Sequence, residues 1–529
     1  MSCERENARF SRILCIFQGN GSYEIRLKSL LDPENRRFAV HGNSVPDVDF
    51  DIGESYAGLL PISSIPHDTR KLFFWFFPSI TLDAPHEVLS WFRGGPGCSS
   101  LGGFISENGP FTWLPGTYKP VRNAYDWRNL TNVLWAEEPV GFGFTEGASD
   151  ITNEEELAKQ YIGFYKQFLD TFDLRGWDVY LSGESYAGYY VTYVANEFID
   201  TNSPDMPLKG IALNGALIGD GTLQLAMPIQ PFVEYWWNVL GLNDTFRKAF
   251  AEKQDQCGYS AYLDMYLKFP APQRLFSSPV YTSETNDGSC NTHDVAEAAL
   301  FEVNPCFNAY HATDYCPRPW TVLGPINDDF DPAPRAIYFN RQDVKRAIHA
   351  PLGRNWTACA STPSKTQSVF QGPNHNETGE DQSLPPGQTD VLQRVIEHTN
   401  NVIIGSGGLG FLVPMNGTLL FYVPSLPVYN LGSVAGSGLL GTWGTERGLT
   451  FYEVHLAGHE MRQYAPGAAF HAIELLLGRI DNLDDREGFT TVDGGGSFLS
   501  AGMGMSAIET VSILSLKCTP MMSQYLNDT

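Results

Sequence analysis

Apolar residues follow two different periods along this chain, and the alternation between them outlines the architecture. Short, nearly unbroken apolar runs bounded by turn residues recur at 72–77, 87–92, 132–136, 178–182, 208–216, 401–405 and 449–455. A strand with one solvated face alternates apolar and polar residues, whereas a strand covered on both faces does not. These runs therefore predict central strands of a buried sheet. Between two of them the period lengthens. Leu157, Tyr161, Phe164, Tyr165, Phe168 and Phe172 return at helical spacing, which predicts a helix over 152–172 opened by a Thr152/Glu155 capping box. Further helical patterns run over 189–198 and 468–477. Strands alternating with helices predict an α/β class, with a mostly parallel central sheet flanked by helices on both faces.

The rhythm breaks between 221 and 389. Four clustered cysteines (Cys257, Cys290, Cys306 and Cys316), a Pro-rich stretch at 317–334 and a polar loop at 361–388 fall there. The expected organisation is an N-terminal segment at 1–48, a sheet core built from 49–220 and 390–480, and an extension at 481–529. The stretch 221–389 is expected to be a cap inserted at the sheet edge, roofing a site. Within the extension, only 508–516 has a pattern fit to dock as a short helix.

Charge and cysteines narrow the function classes. A net charge of -25 disfavours nucleic acid and anionic membranes as partners. No stretch approaches the roughly twenty apolar residues that span a bilayer. The apolar run at 13–17 is too brief for a secretory leader core, so either the protein stays in the cytosol or, the favoured expectation, its natural N-terminus lies upstream of Met1. Without a C-x-x-C pair or a His doublet, the clustered cysteines read as disulfides, and no metal or other cofactor is called for. Sequons at Asn20, Asn129, Asn243, Asn355, Asn376, Asn416 and Asn527 favour secretion modestly.

Candidate chemistry gathers at two glycine-rich segments. Gly183-Glu184-Ser185-Tyr186-Ala187-Gly188 lies between a predicted strand and a predicted helix, the context of a nucleophile elbow. Small residues let the chain turn tightly, leaving the Ser185 hydroxyl clear of the backbone. The second segment, Trp91 through Ser100, follows another predicted strand and precedes Glu107-Asn108-Gly109-Pro110. Backbone N–H groups of Gly95 and Tyr186 are placed to form an oxyanion hole. The loop lacks the Lys that a phosphate-binding P-loop supplies.

Further along stand Glu137-Glu138-Pro139-Val140-Gly141, Tyr338-Phe339-Asn340-Arg341-Gln342-Asp343-Val344, Asn416-Gly417-Thr418 and Gly458-His459. In this order, the segments resemble the serine carboxypeptidases of the α/β-hydrolase fold, particularly fungal secreted or vacuolar members. The likeness runs from Asp49 to Ile480. It implies a secreted or vacuolar enzyme that releases C-terminal amino acids from peptides through an acyl-enzyme. Ser185 would be the nucleophile, and His459 the group that takes and returns the proton. Trp91, Glu107 and Glu184 match the family's pocket for the substrate carboxylate, where two close carboxyls share a proton. The resemblance also implies a bridge from Cys98 to a distant cysteine, with Cys359 the partner by position.

The chain departs from that pattern near the expected site. Gly410 stands at the position of the triad Asp, and Arg93 replaces the carboxylate-binding Asn. Glu138 and Arg462 replace a Gln and a Pro. Arg93 is expected to lower the pKa values of Glu107 and Glu184, and either to clamp a substrate carboxylate or to block its pocket. The leading reading is a serine-type carboxypeptidase impaired at Gly410. One alternative is a catalytically dead relative with a binding or vestigial role; another is an acyltransferase of the same family.

Overall fold

A computed structural model describes residues 2–3, 15–19, 22–26 and 35–484, apart from 82–85, 269–289, 325–335, 363–364, 367–368, 373–377, 423–428 and 433–438. The expected helix at 508–516 and nearly all of the C-terminal extension lie outside the described residues.

The centre is an eleven-stranded sheet. In chain order its strands are β1 (Ala39–Val40), β2 (Ser55–Pro61), β3 (Lys71–Phe77), β4 (Glu87–Arg93), β5 (Asn132–Ala136) and β6 (Asp178–Glu184). After β7 (Leu208–Asn214) come β8 (Val402–Gly407), β9 (Tyr429–Gly432), β10 (Leu439–Glu446) and β11 (Leu449–Val454). Each predicted run is a strand. Parallel pairing is confined to β5-β4-β6-β7-β8-β11, and antiparallel strands extend the sheet on both flanks. The sheet is therefore mixed, and the parallel character holds for its centre.

Strand β3 shows how sequence becomes layering. In Lys71-Leu72-Phe73-Phe74-Trp75-Phe76-Phe77, Leu72, Phe74 and Phe76 enter one hydrophobic cluster, while Phe73, Trp75 and Phe77 enter another. Successive side chains of a strand point to opposite faces, so an unbroken apolar strand needs cover on both. On the first face lie α1 (Glu154–Phe172) and α2 (Ala187–Thr201), and on the second α4 (Pro466–Leu476); α3 (Asp390–Thr399) packs against α2. The six predicted apolar residues of α1 are all buried, and Phe168 and Phe172 stack edge-on or tilted against Phe74 and Phe76.

The start of α1 corrects the predicted capping box by one residue. Asn153 is the N-cap, its Oδ1 accepting from Glu156 N–H at 3.0 Å, while Thr152 N–H donates to Glu156 Oε2 at 2.6 Å. Asn caps better than Thr, so the cap moves to Asn153, and the Glu156 carboxylate reaches back past it to the Thr152 N–H.

Within 221–389, the helices Ile229–Tyr235, Asp244–Gln256 and Thr292–Val303 build a separate apolar cluster that also contains Phe411. Tyr338, Phe339, Val344, Ile348 and Trp356 instead join the second face of the central sheet. The clustered cysteines pair as Cys257–Cys290 and Cys306–Cys316. No described helix is long and apolar enough to cross a membrane.

Candidate active site

The singled-out residues converge at the carboxyl ends of the central strands, where parallel sheets carry their sites. Arg93 ends β4, Glu184 ends β6, and Ser185 follows at once. Gly410 lies just beyond β8 and His459 just beyond β11. Ser185 has φ 60°, a left-handed conformation that a non-glycine residue adopts only when its surroundings enforce it. Gly188 N–H and Leu217 N–H enforce it by donating to the Ser185 carbonyl at 3.0 and 2.9 Å. A Cβ on Gly188 would lie 2.1 Å from the Leu217 carbonyl oxygen, so only glycine permits that approach.

The loop after β4 packs directly on this turn. A Cβ on Gly94 would sit 2.3 Å from Tyr186 N, which puts the Gly95 turn beside the Tyr186 amide. Several ties fix the loop. Cys98 N–H donates to Gly94 O at 3.0 Å, Gly97 N–H donates to the Tyr190 hydroxyl at 2.9 Å, and Ser99 N–H donates to Ala358 O at 2.8 Å. A disulfide joins Cys98 to Cys359.

His459 is buried, and neither ring nitrogen has a hydrogen-bond partner. Its backbone N–H donates to Tyr310 O at 2.6 Å, and Tyr310 meets the imidazole edge-to-face. Burial, aided by the Arg93 charge, pushes the His459 pKa down to about 3. Gly410 lies against this residue, since a Cβ there would be 3.3 Å from His459 N and 3.4 Å from its Cα. Among the described residues, no carboxylate is hydrogen-bonded to the ring to fix its tautomer or to favour its charged form.

Beside the elbow, three buried carboxyls gather around one guanidinium. Arg93 Nε is 3.6 Å from Glu184 Oε1, Nη1 is 4.0 Å from Glu107 Oε1, and Nη2 pairs with Glu460. All three carboxyls lie within 4.8 Å of one another. Burial works against the Arg93 cation, but Glu460, Glu184 and Glu107 together raise its pKa. The expectation that Arg93 lowers Glu184 is corrected. Burial and the neighbouring Glu107 charge outweigh Arg93, so Glu184 is raised well above its ordinary range. Desolvation exceeds pair attraction because the carboxyl is withdrawn from water on every side.

Arg462, read from the sequence as a simple departure, is a second buried cation here. Its guanidinium lies 4.0 Å above the Trp91 ring and 3.6 Å from Glu184, and donates to Asn214 Oδ1 at 2.8 Å. Truncating Arg462→Ala is expected to lower unfolding stability by about 2–3 kcal/mol, since a desolvated cation–π contact alone is worth about 2. Urea unfolding at pH 6 measures it, and a change under about 0.5 kcal/mol would mean that the contact carries no weight.

Glu460 is the residue that sequence reasoning missed. Its place immediately after His459 is the one available signal; its pairing with Arg93, far away in the chain, is visible only in the fold.

Comparison with known proteins places this geometry. The family model described as serine carboxypeptidase matches residues 46–479. A probable serine carboxypeptidase of Arthroderma benhamiae is 39% identical over 487 residues, covering 86% of this chain and 89% of that protein. Serine-type carboxypeptidase F of Aspergillus niger is 39% identical over 472 residues, covering 83% and 87%. The solved structure of the Kex1 prohormone-processing carboxypeptidase of Saccharomyces cerevisiae shares the fold, with a TM-score of 0.64 at 18% identity over 85% of this chain and 98% of that one. The chain belongs to the serine carboxypeptidase family.

Proposed function

We propose that this chain acts as a serine-type carboxypeptidase on peptide C-termini, with Ser185 forming the acyl-enzyme and His459 moving the proton. Gly95 and Tyr186 N–H groups stabilise the tetrahedral oxyanion, and Trp91, Arg93, Glu107 and Glu184 form the subsite for the terminal carboxylate. The observation that carries this reading is Ser185 held at φ 60° at the end of a central parallel strand, with the Gly94 loop packed on the next amide. The cluster built by Ile229–Tyr235, Asp244–Gln256 and Thr292–Val303, which packs on Phe411 next to Gly410, serves as the roof. Turnover is slow, because a base whose pKa sits near 3 holds an abstracted proton poorly.

A second reading, a non-catalytic peptide binder, draws on the same ring: His459 has no hydrogen-bond partner, and Gly410 supplies none. Release of the C-terminal residue from an N-blocked dipeptide, followed from pH 4 to 8, decides between them. The expected result is weak turnover that disappears in Ser185→Ala. Identical traces for both proteins would leave the binder.

The three disulfides fit passage through an oxidising compartment, and the sequon residues Asn243 and Asn355 are exposed. Both features support a secreted or vacuolar location.

A further inference from the structure

The carboxylate subsite is already occupied by a residue of the chain itself. Every nitrogen of the Arg93 guanidinium faces an internal carboxyl: Nε faces Glu184, Nη1 faces Glu107, and Nη2 is paired with Glu460. Glu107 and Glu184 come from the segments that frame the subsite. Glu460 comes from the other side, directly after His459, and its pairing with Arg93 is the closest of the three. A substrate carboxylate entering beside Trp91 would meet a cation already satisfied by three anions or their protonated forms.

We propose that Glu460 is a specificity-determining surrogate for the substrate's terminal carboxylate, which must be neutralised or displaced before a free C-terminus binds Arg93. This rests on the reading that Trp91, Arg93, Glu107 and Glu184 form the carboxylate subsite. A peptide ending in an amide or ester has no anion to place there and is indifferent to Glu460. The residue therefore sets the preference between free and blocked C-termini.

Protonation provides the neutralising event. The groups facing Glu460 are Arg93 at the end of β4, Glu107, Glu184 at the end of β6, Tyr310 from the insertion, Tyr464, and His459 beside it. Arg462 lies behind Glu184. Burial raises the Glu460 pKa to about 7 against the pull of Arg93, with Glu107 adding to the rise. At pH 8, about one molecule in ten then carries the neutral, releasing form. Apparent affinity scales with the competent fraction, so the free-acid ligand loses about tenfold at that pH. Below pH 6 nearly all molecules are competent, while a terminal carboxylate near pKa 3.5 stays ionised.

The test needs no turnover. The full chain carrying Ser185→Ala is titrated calorimetrically with N-acetyl-L-phenylalanine and, separately, with its amide, between pH 5.5 and pH 8. With Glu460 present, the acid-over-amide affinity ratio is expected to rise about tenfold as pH falls. With the isosteric Glu460→Gln added, the ratio is expected to be high and nearly flat, about tenfold above the parent at pH 8. A ratio that favours the acid but ignores the substitution, whether or not it follows pH, would overturn the role of Glu460 and leave the subsite standing. Equal binding of acid and amide by both forms would overturn the subsite, and the surrogate with it. Should the Gln variant fold poorly, Glu460→Ala in the same Ser185→Ala background gives the same readout, which the pH series alone does not, because Glu107 and Glu184 are titratable carboxyls in the same subsite.

Discussion

Replacing Gly410 by Asp is expected to raise kcat for dipeptide hydrolysis by about 10²–10⁴ while leaving KM nearly unchanged. The backbone at 410 is not in the left-handed region, and a Cβ there meets Gly407 O and His459 N at 3.3 Å, a fit needing a few tenths of an ångström of adjustment. A carboxylate carried from this point would reach the imidazole, whose ring nitrogens have no hydrogen-bond partner among the described residues. Two effects follow. The carboxylate holds one tautomer, so that the other ring nitrogen can accept the Ser185 proton. It also stabilises the imidazolium, lifting a pKa now near 3 toward the range where a base works at neutral pH. Gly410→Asn supplies shape without charge and should recover far less. Steady-state kinetics of the three proteins, each paired with its Ser185→Ala form, provide the check. An unchanged kcat in Gly410→Asp would place the defect in the Arg93 cluster rather than in the missing carboxylate.

The second large effect is on stability, and it runs against common habit. The folded protein should be most stable near pH 4.5–5 and should weaken steadily toward pH 8. Glu138 and Glu154 are buried, and among the described residues neither Glu138 carboxyl oxygen has a hydrogen-bond partner; burial raises both well above 4.5, with Glu137 adding to Glu138 and Asp381 to Glu154. Glu137, which accepts from Phe144 N–H at 2.5 Å and from the Ser99 hydroxyl, is still lifted by burial to about 7. A carboxyl with a raised folded pKa keeps its proton in the native state while the unfolded chain loses it. Above about pH 4.5 the native state therefore binds more protons, and stability falls as pH rises through the folded pKa values. Each such group contributes a slope of about 1.4 kcal/mol per pH unit in that window, so Glu138 and Glu154 together give about 2–3 kcal/mol per pH unit.

Opposing groups set the lower limit. Asp68, held well below the usual carboxylate range by its Arg70 hydrogen bonds, loses its contribution as pH falls below 3.8, and the buried neutral His459 loses its own below 6.5. Urea midpoints at four pH values from 5 to 8 provide the measurement. Glu138→Gln, a neutral copy of the protonated side chain, should flatten the slope by one group's share and stabilise the protein at pH 8. A midpoint independent of pH would show that these carboxyls reach water.

Residue pattern and fold agree where the physics is local. The unbroken runs at 72–77 and 178–182 are buried strands because no polar position interrupts either face, and the aromatic stripe of α1 is buried because its spacing is helical. The elbow and the Gly94 loop were legible for the same reason, since both depend on small residues at fixed offsets. Pairing across distance was not legible. Nothing in the spacing of Cys257, Cys290, Cys306 and Cys316 selects one pairing among three. Glu460 looked like any polar residue after a histidine until the fold brought it to Arg93. The Glu184 shift was misjudged because the sequence gives charges but not their access to water, and desolvation decided the sign.

The bridge between Cys98 and Cys359 imposes an order on assembly. It fastens the loop carrying Gly95 to a residue 261 positions later, so the loop is not covalently locked when its own strand and the Ser185 turn emerge during synthesis. Closing a ring of that size removes about 5 kcal/mol of chain entropy from the unfolded state in the loop-closure picture, which makes it a late and decisive step. A chain made where thiols stay reduced would possess every residue of the proposed site and still hold the Gly95 loop only by hydrogen bonds. Maturation of the site is thus tied to the compartment the chain passes through as well as to its sequence.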